Sequence, residues 1–185
     1  LASNLPIGGT AVGTGINTDI KFGREVSARL AKRYSIGFKE AKNHFEAQAT
    51  RDCVVSASGE LKTIAVSLSK IANDLRWLAS GPRCGIGEFS LPETQPGSSI
   101  MPGKVNPVIC ESVIQVACEV VSNDLATTLG GFGGIGSIFQ LNLAMPLVGY
   151  NLQESIDMLS AVSVTFAEKA IRGLELNEAI ATGYV

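Results

Sequence analysis

The stretch from Pro96 to Pro107 reads PGSSIMPGKVNP and gathers two serine hydroxyls, an ammonium group and a carboxamide between two segments of helical pattern. Prolines at 96, 102 and 107 bar it from joining either helix, while Gly97 and Gly103 permit unusual dihedrals and expose backbone N–H groups. A serine such as Ser98 or Ser99 can take part in proton transfer only where convergent donors stabilise its oxyanion, and a stiffened glycine-containing loop can supply them. Lys104 adds positive charge, Asn106 adds amide donors, and a helix opening at Pro107 with Asn106 as N-cap turns its positive end toward the same place. These parts suit a carboxylate whose charge grows during reaction. A capped surface loop with two ordinary serines has the same composition, and the residues alone leave both readings open.

Other motifs carry less. Gly131-Phe132-Gly133-Gly134-Ile135-Gly136 has the letters GxGxxG, with Glu154 downstream, but a helix precedes it and no alternation of strand and helix surrounds it. A helix–helix connection accounts for it better than a dinucleotide site. Gly8 to Gly15, GGTAVGTG, lacks the Lys-Ser/Thr ending of a phosphate loop, so close packing is favoured over anion binding. His44 is the single histidine and has no metal-ligand companions, which favours a structural role. Cys53, Cys84, Cys110 and Cys118 show no CxxC spacing, as expected for four reduced and mostly packed thiols.

The elements that must position the 96–107 loop are long helices. Val54, Ala57, Leu61, Ile64, Leu68, Ile71, Leu75 and Leu78 alternate steps of three and four, predicting one helix over 44–79 that ends at Ser80-Gly81-Pro82. A second helix runs from Asn106-Pro107 to Gly130-Gly131. A third, over 142–171 with Pro146 in its first turns, carries Leu152, Ile156, Leu159, Phe166 and Ala170 on one face. Residues 19–33 form a shorter amphipathic helix. Three long helices with almost no strand signal predict an all-α bundle, and helices of such length, about 40–50 Å at 1.5 Å per residue, expose seams that other copies would cover.

The 185 residues suffice for about one domain, and 45 % hydrophobic against 17 % charged residues excludes a disordered chain. Net charge is −2 and no Lys/Arg run occurs, which argues against nucleic-acid and membrane partners. No apolar stretch reaches the ~18 residues of a membrane span, and no targeting segment is visible at Leu1.

PGSSIMPGKVNP resembles the signature loop of the fumarase/aspartase superfamily, GSSxMPxKxNP in general form. Gly8 to Asn17 (GGTAVGTGIN), Asn43 to Ala47 (NHFEA) and Lys70 to Glu88 (KIANDLRWLASGPRCGIGE) resemble class II fumarate hydratase, and the likeness extends from about Leu5 to Asn177. Aspartases usually have Ala at the place of Gly103 and lack the RWLASGPRCG wording; argininosuccinate and adenylosuccinate lyases generally have a basic residue at the place of Val105.

The resemblance implies an all-α, long-helix bundle domain of the fumarase/aspartase type with an intersubunit helical core. Residues 1–172 would be the central helical domain carrying loop 96–107, and 173–185 the start of a truncated C-terminal domain. It implies reversible hydration of fumarate to (S)-malate through an aci-carboxylate intermediate, with no metal and no organic cofactor. Ser98 corresponds to the base that removes the C3 proton of malate. Lys104 and Asn106 correspond to ligands of a substrate carboxylate, Ser99 helps form the anion hole, and Glu111 matches the acid that pairs with a water-handling histidine. That histidine lies upstream of the region Leu1 matches, and His44 stands where relatives often have Lys. A partial subunit, inactive alone, is therefore expected. The implied partners are a small dicarboxylate (fumarate or malate) and further copies in a homotetramer with shared sites; the implied location is cytoplasmic or mitochondrial matrix. Gln140 stands where the family's FELN sequence has Glu, and the 130–138 connection is longer than usual. The competing assignments are an aspartate ammonia-lyase or another superfamily lyase, and a non-catalytic helical assembly module.

Overall fold

The structure is a computed structural model that describes residues 2–8 and 10–183. In chain order the helices are α1 (Phe22–Tyr34), α2 (His44–Ala49), α3 (Asp52–Leu78), α4 (Val108–Gly130), α5 (Met145–Phe166) and α6 (Glu178–Gly183). Among the described residues, six two-residue strands form three small two-stranded ladders: β1 (Asn4–Leu5) with β2 (Lys39–Glu40) in parallel, β3 (Phe89–Ser90) with β6 (Glu175–Leu176), and β4 (Ser137–Ile138) with β5 (Leu141–Asn142), both antiparallel. The fold is therefore all-α in its long elements, as expected. Among the described residues, no helix is long and apolar enough to cross a membrane.

The helix expected over 44–79 is broken. Thr50 is extended, with φ −106° and ψ 163°, and the Arg51 guanidinium folds back to donate to the carbonyls of Ala47, Gln48 and Thr50. Those carbonyls end α2 without partners further along a helix, and the side chain satisfies them. At the other end of α2, Asn43 accepts the N–H of Glu46 at 3.2 Å, an ordinary side-chain N-cap.

The seam of α3 also differs from expectation by one residue on alternate steps. Ser58, Ala65 and Ala72 are buried with Leu61, Leu68 and Leu75 partly buried beside them, whereas Ile64 and Ile71 are 49 % and 48 % exposed. Apolar periodicity cannot tell which of two adjacent stripes faces the chain's own helices. The small stripe does, since alanine lets neighbouring helices approach closely. On α5 and the π turn that follows it, Leu159, Phe166 and Ala170 are buried as expected, but Ile156 is exposed, and Val148, Asn151, Ser155 and Val162 complete the buried face.

Helix α4 starts two residues beyond Asn106. The Pro107 carbonyl accepts the N–H of Glu111 at 3.0 Å, the first bond of the helix, while the Asn106 side chain donates to Gly97 at 3.4 Å. The expected N-cap role of Asn106 is thus replaced by a bond across the loop. Pro146 occupies the first turn of α5, where no helical N–H is required. After Phe166 the helix widens into a π turn, Ala167–Ile171, whose i+5 bond runs from the Arg172 N–H to the Ala167 carbonyl at 3.0 Å. The 130–138 connection leads into the β4–β5 hairpin, with Phe139 at φ +52° in its turn.

The chain falls into two compact units. One contains Leu1–Gly59 and Asp124–Leu152, the other Glu60–Asn123 and Gln153–Val185. In the first, Gly130 and Gly131 make room for Val148 and Val55: an added Cβ would lie 2.4 Å and 2.9 Å from their methyl carbons. In the second, α3, α4 and α5 build a continuous core. One cluster joins Ala72, Cys110, Val113, Val162, Phe166 and Ala170; the next joins Ala65, Ala117, Val120 and Leu159. Burial of these side chains holds the start of α4 against α3 and α5, and thereby fixes the base on which the 96–107 loop stands.

Candidate active site

The loop closes on itself at its neck. The Gly97 N–H donates to the Lys104 carbonyl at 2.7 Å, and the Asn106 amide reaches the Gly97 carbonyl. Gly97 is required by this approach, because a Cβ there would lie 2.6 Å from the Lys104 carbonyl oxygen. Gly103 turns the chain at φ +76°, a region that favours glycine. Between them, the N–H groups of Ile100 and Met101 both donate to Ser98 Oγ, each at 3.2 Å. Two donors aimed at one hydroxyl oxygen favour negative charge on it, the electrostatic condition for a serine to act as a base.

Lys104, Asn106 and Glu111 line one groove of about 1050 Å³, which also includes Arg76, Trp77, Glu93 and Lys169. Ser98 lines a smaller hollow of about 470 Å³ that meets the groove at Gly103, Lys104 and Val105. Ser99 is exposed and lines neither. The geometry therefore brings Lys104, Asn106 and Glu111 together, places Ser98 next to Lys104, and leaves Ser99 apart. The ammonium of Lys104 is exposed, and Lys104 lines the same groove as the first turn of α4, Val108 to Glu111. Glu111, half-buried in that first turn, complements the positive helix end.

Two cations of the groove were not singled out by sequence reasoning. Arg76 lies four residues beyond Ala72 on α3, so it continues the face that packs against Cys110 of α4, a relation the spacing contains once the buried stripe is known. Lys169 stands on the π turn, whose widened geometry leaves no residue signature. Cys110 itself is fully buried; burial pushes its thiol up, and the Arg76 charge partly opposes that shift. The remaining thiols depart from the expected packing: all four cysteines are free, but Cys84 and Cys118 are exposed and Cys53 is half-buried. Among the described residues, no group of three or more His, Cys, Asp or Glu side chains is placed to hold a metal ion.

His44 is engaged away from this loop. Its Nδ1 meets the Gly13 carbonyl, and its Nε2 lies 3.2 Å from Glu40 Oε1. The glycine-rich loop is thus packed around a ring, as favoured from its composition; Gly9 lies outside the described residues.

A family model described as Lyase matches residues 1–122, and the chain belongs to that family. Its similarity is to class II fumarate hydratases in particular. That of Neisseria meningitidis serogroup A is 52 % identical over 171 residues, covering 92 % of this chain and 36 % of the relative. That of Mycobacterium tuberculosis is 53 % identical over 174 residues, covering 94 % and 36 %. Among solved structures, the fumarate lyase:delta crystallin of Brucella melitensis superposes with a TM-score of 0.90 at 44 % identity, over 98 % of this chain and 39 % of that one. The class II fumarase of Schistosoma mansoni gives 0.86 at 36 % identity, over 98 % and 40 %. The chain spans about a third of the length of the curated relatives it matches.

Proposed function

We propose that this chain supplies the helical core and the signature loop of a fumarate hydratase, which adds water reversibly to fumarate to give (S)-malate. The observation that carries the proposal is the pair of N–H bonds to Ser98 Oγ beside Lys104, in a chain about half identical to class II fumarate hydratases. In this reading Ser98 removes the C3 proton of malate, and the electrons move into the adjacent carboxylate to form an aci-carboxylate dianion. Lys104 and Asn106 hold that carboxylate, and the α4 N-terminus strengthens the attraction as charge builds. Ser99, exposed and outside both hollows, is given no contact with substrate in this reading. Glu111 orients the group that handles water at C2. Within these 185 residues the single histidine is already bonded to Gly13 and Glu40, so that group comes from outside them.

Exposed apolar residues on α3, α4 and α5, among them Ile64, Ile71, Leu125, Ile156 and Val164, support association of copies into a tetramer with shared sites. Residues 1–172 act as the central domain and 173–185 lead into the next. The bacterial relatives favour a cytoplasmic over a mitochondrial setting.

The test is turnover of malate, fumarate and aspartate by the active assembly with and without Ser98→Ala. Loss of malate and fumarate turnover by about 10²–10⁴-fold, the range for removing a general base, with the oligomer intact, is expected. Unchanged turnover, or preference for aspartate in the parent protein, overturns the proposal.

A further inference from the structure

Charge is spread unevenly along the chain. Residues 19–42 hold seven of its 15 Lys and Arg but only three of its 17 Asp and Glu, so this segment carries +4 while the remaining residues carry −6. The fold gathers these cations around the outer side of α1. Gly23 and Ser27 are buried and Val26 and Leu30 partly buried, at the three-four spacing of an inward face. Arg24, Arg29, Lys32 and Arg33 fall outside that stripe and are exposed, as is Lys21 just before the helix, which is about 20 Å long at 1.5 Å per residue. Lys39 on β2 and Lys42 beyond it are exposed as well.

The acids of the segment leave these cations uncompensated. Among the described residues none of the seven forms an ion pair or a side-chain hydrogen bond, and Arg33 lies over the Tyr34 ring at 5.5 Å. Asp19 accepts the backbone N–H of Lys21 at 2.8 Å, Glu40 meets His44, Glu25 stands exposed on α1 itself, and Glu46 lies in the first turn of α2. A face of one dominant sign attracts groups of the other and speeds their encounter.

That face also carries apolar groups. Ile20 is 94 % exposed, and Phe22, Tyr34 and Ile36 are exposed too, so both ends of α1 are bracketed by apolar or aromatic side chains. A matching partner meets guanidinium forks and apolar ends together. Carboxylates pair with the Arg fork through two parallel hydrogen bonds, and Arg, Tyr and Phe are enriched at protein interfaces. A protein can also set a donor against Glu25, which a phosphate backbone cannot, and that backbone offers nothing to the apolar ends. A bilayer calls for a continuous apolar stripe, whereas the stripe of α1 is turned inward and its exposed apolar groups stand a helix length apart.

We propose that the outer face of α1 is a docking surface for an acidic protein segment, one rich in Asp and Glu with apolar residues between them. Arg24, Arg29 and Arg33 receive its carboxylates, the lysines add long-range attraction, and the apolar groups at the two ends of the helix take its apolar side chains. The surface does not depend on the hydratase reading.

The probe is a fluorescein-labelled 18-residue peptide of repeated Glu-Glu-Leu, titrated with the 185-residue chain and followed by anisotropy. Saturable binding is expected, weakened about tenfold or more between 50 and 300 mM NaCl and absent for the Gln-Gln-Leu counterpart. Arg29→Glu/Arg33→Glu should weaken it about tenfold or more. Lys70→Glu/Arg83→Glu, at exposed positions elsewhere and with the same change in net charge, should weaken it less than about twofold. If Arg29→Glu/Arg33→Glu fails to fold, Lys21→Gln/Arg24→Gln neutralises the other end of the face and should still cost about threefold or more. Equal losses in the two charge-reversed variants would reduce the effect to net charge and overturn the proposal. So would a lack of binding, equal binding of the Gln peptide, or tighter binding of duplex DNA or phosphatidylserine vesicles at the same salt. Sedimentation showing that Arg29→Glu/Arg33→Glu separates copies of the chain would assign the face to a second copy and overturn it as well.

Discussion

The two glycine-containing loops hold themselves in opposite ways. The 8–18 loop is closed around a side chain from another element, and Gly8 has no room for even one more carbon. The 96–107 loop is pinned at its neck by Gly97, Lys104 and Asn106 and turned within its tip by the Ile100 and Met101 N–H bonds to Ser98 Oγ; Gly103 has nothing within 4 Å of an added Cβ, and Ile100 is 86 % exposed. On the proposed function, the difference separates scaffold from working part: a loop that receives and releases a substrate keeps an exposed tip, whereas one that shapes a wall is packed from within.

Substitutions sharpen that contrast. The largest effect is expected at the open loop's charge: Lys104→Met in the active assembly should lower malate turnover about 10²–10³-fold, the cost typical of one lost oxyanion-type donor, with the melting temperature unchanged. An undiminished rate would remove Lys104 from the chemistry. Next comes the packed loop, where Gly8→Ala should cost about 1–3 kcal/mol in urea unfolding because the new methyl group meets the Gly13 carbonyl. A neutral result would mean that the wall yields more easily than its geometry implies.

A third test probes the floor below the open loop. Burial raises the Cys110 pKa, so the native state keeps a proton that the unfolded chain gives up. Stability should therefore be independent of this thiol below an ordinary cysteine pKa of about 8.5, and fall above it by at most about 1.4 kcal/mol per pH unit until the raised native value is passed. Comparison with Cys110→Ala across pH 7–10 isolates the effect; identical pH slopes would refute it. The smallest change belongs to Gly103→Ala, about 1 kcal/mol from the positive φ alone, since no neighbour resists the methyl.

Much of this was legible because it is local. Helices α3, α4 and α5 follow from three-four apolar spacing, and the prolines and glycines of 96–107 announce a loop between them. What escaped depends on partners distant in sequence or on choices periodicity does not make. The break before α3 arises from Arg51 turning back onto carbonyls, which no spacing records. The buried stripe of α3 is set by Ala65 and Ala72 rather than the larger Ile64 and Ile71, and hydrophobicity alone prefers the latter. Asn106 looks like a helix cap by type and position, yet the neck of the loop claims its amide. Among the groove residues, Lys104 and Asn106 were named in advance because the motif keeps them close in sequence, and Glu111 because the family resemblance assigned it a role. The His44 contacts reach back to Gly13, 31 residues earlier, and become visible only in three dimensions.

The adjacent alanine and isoleucine stripes of α3 give a single helix two separate audiences. Ala65 and Ala72 answer to the helices of their own chain, so a bulkier residue there would register as a folding defect even at extreme dilution. Ile64 and Ile71, one position over, are exposed, so under the proposed association of copies a change there would register as a shift in the concentration at which molecules come together. Variants at neighbouring positions of this helix therefore belong to different experiments, and pooling them as one hydrophobic seam would mix two distinct free energies.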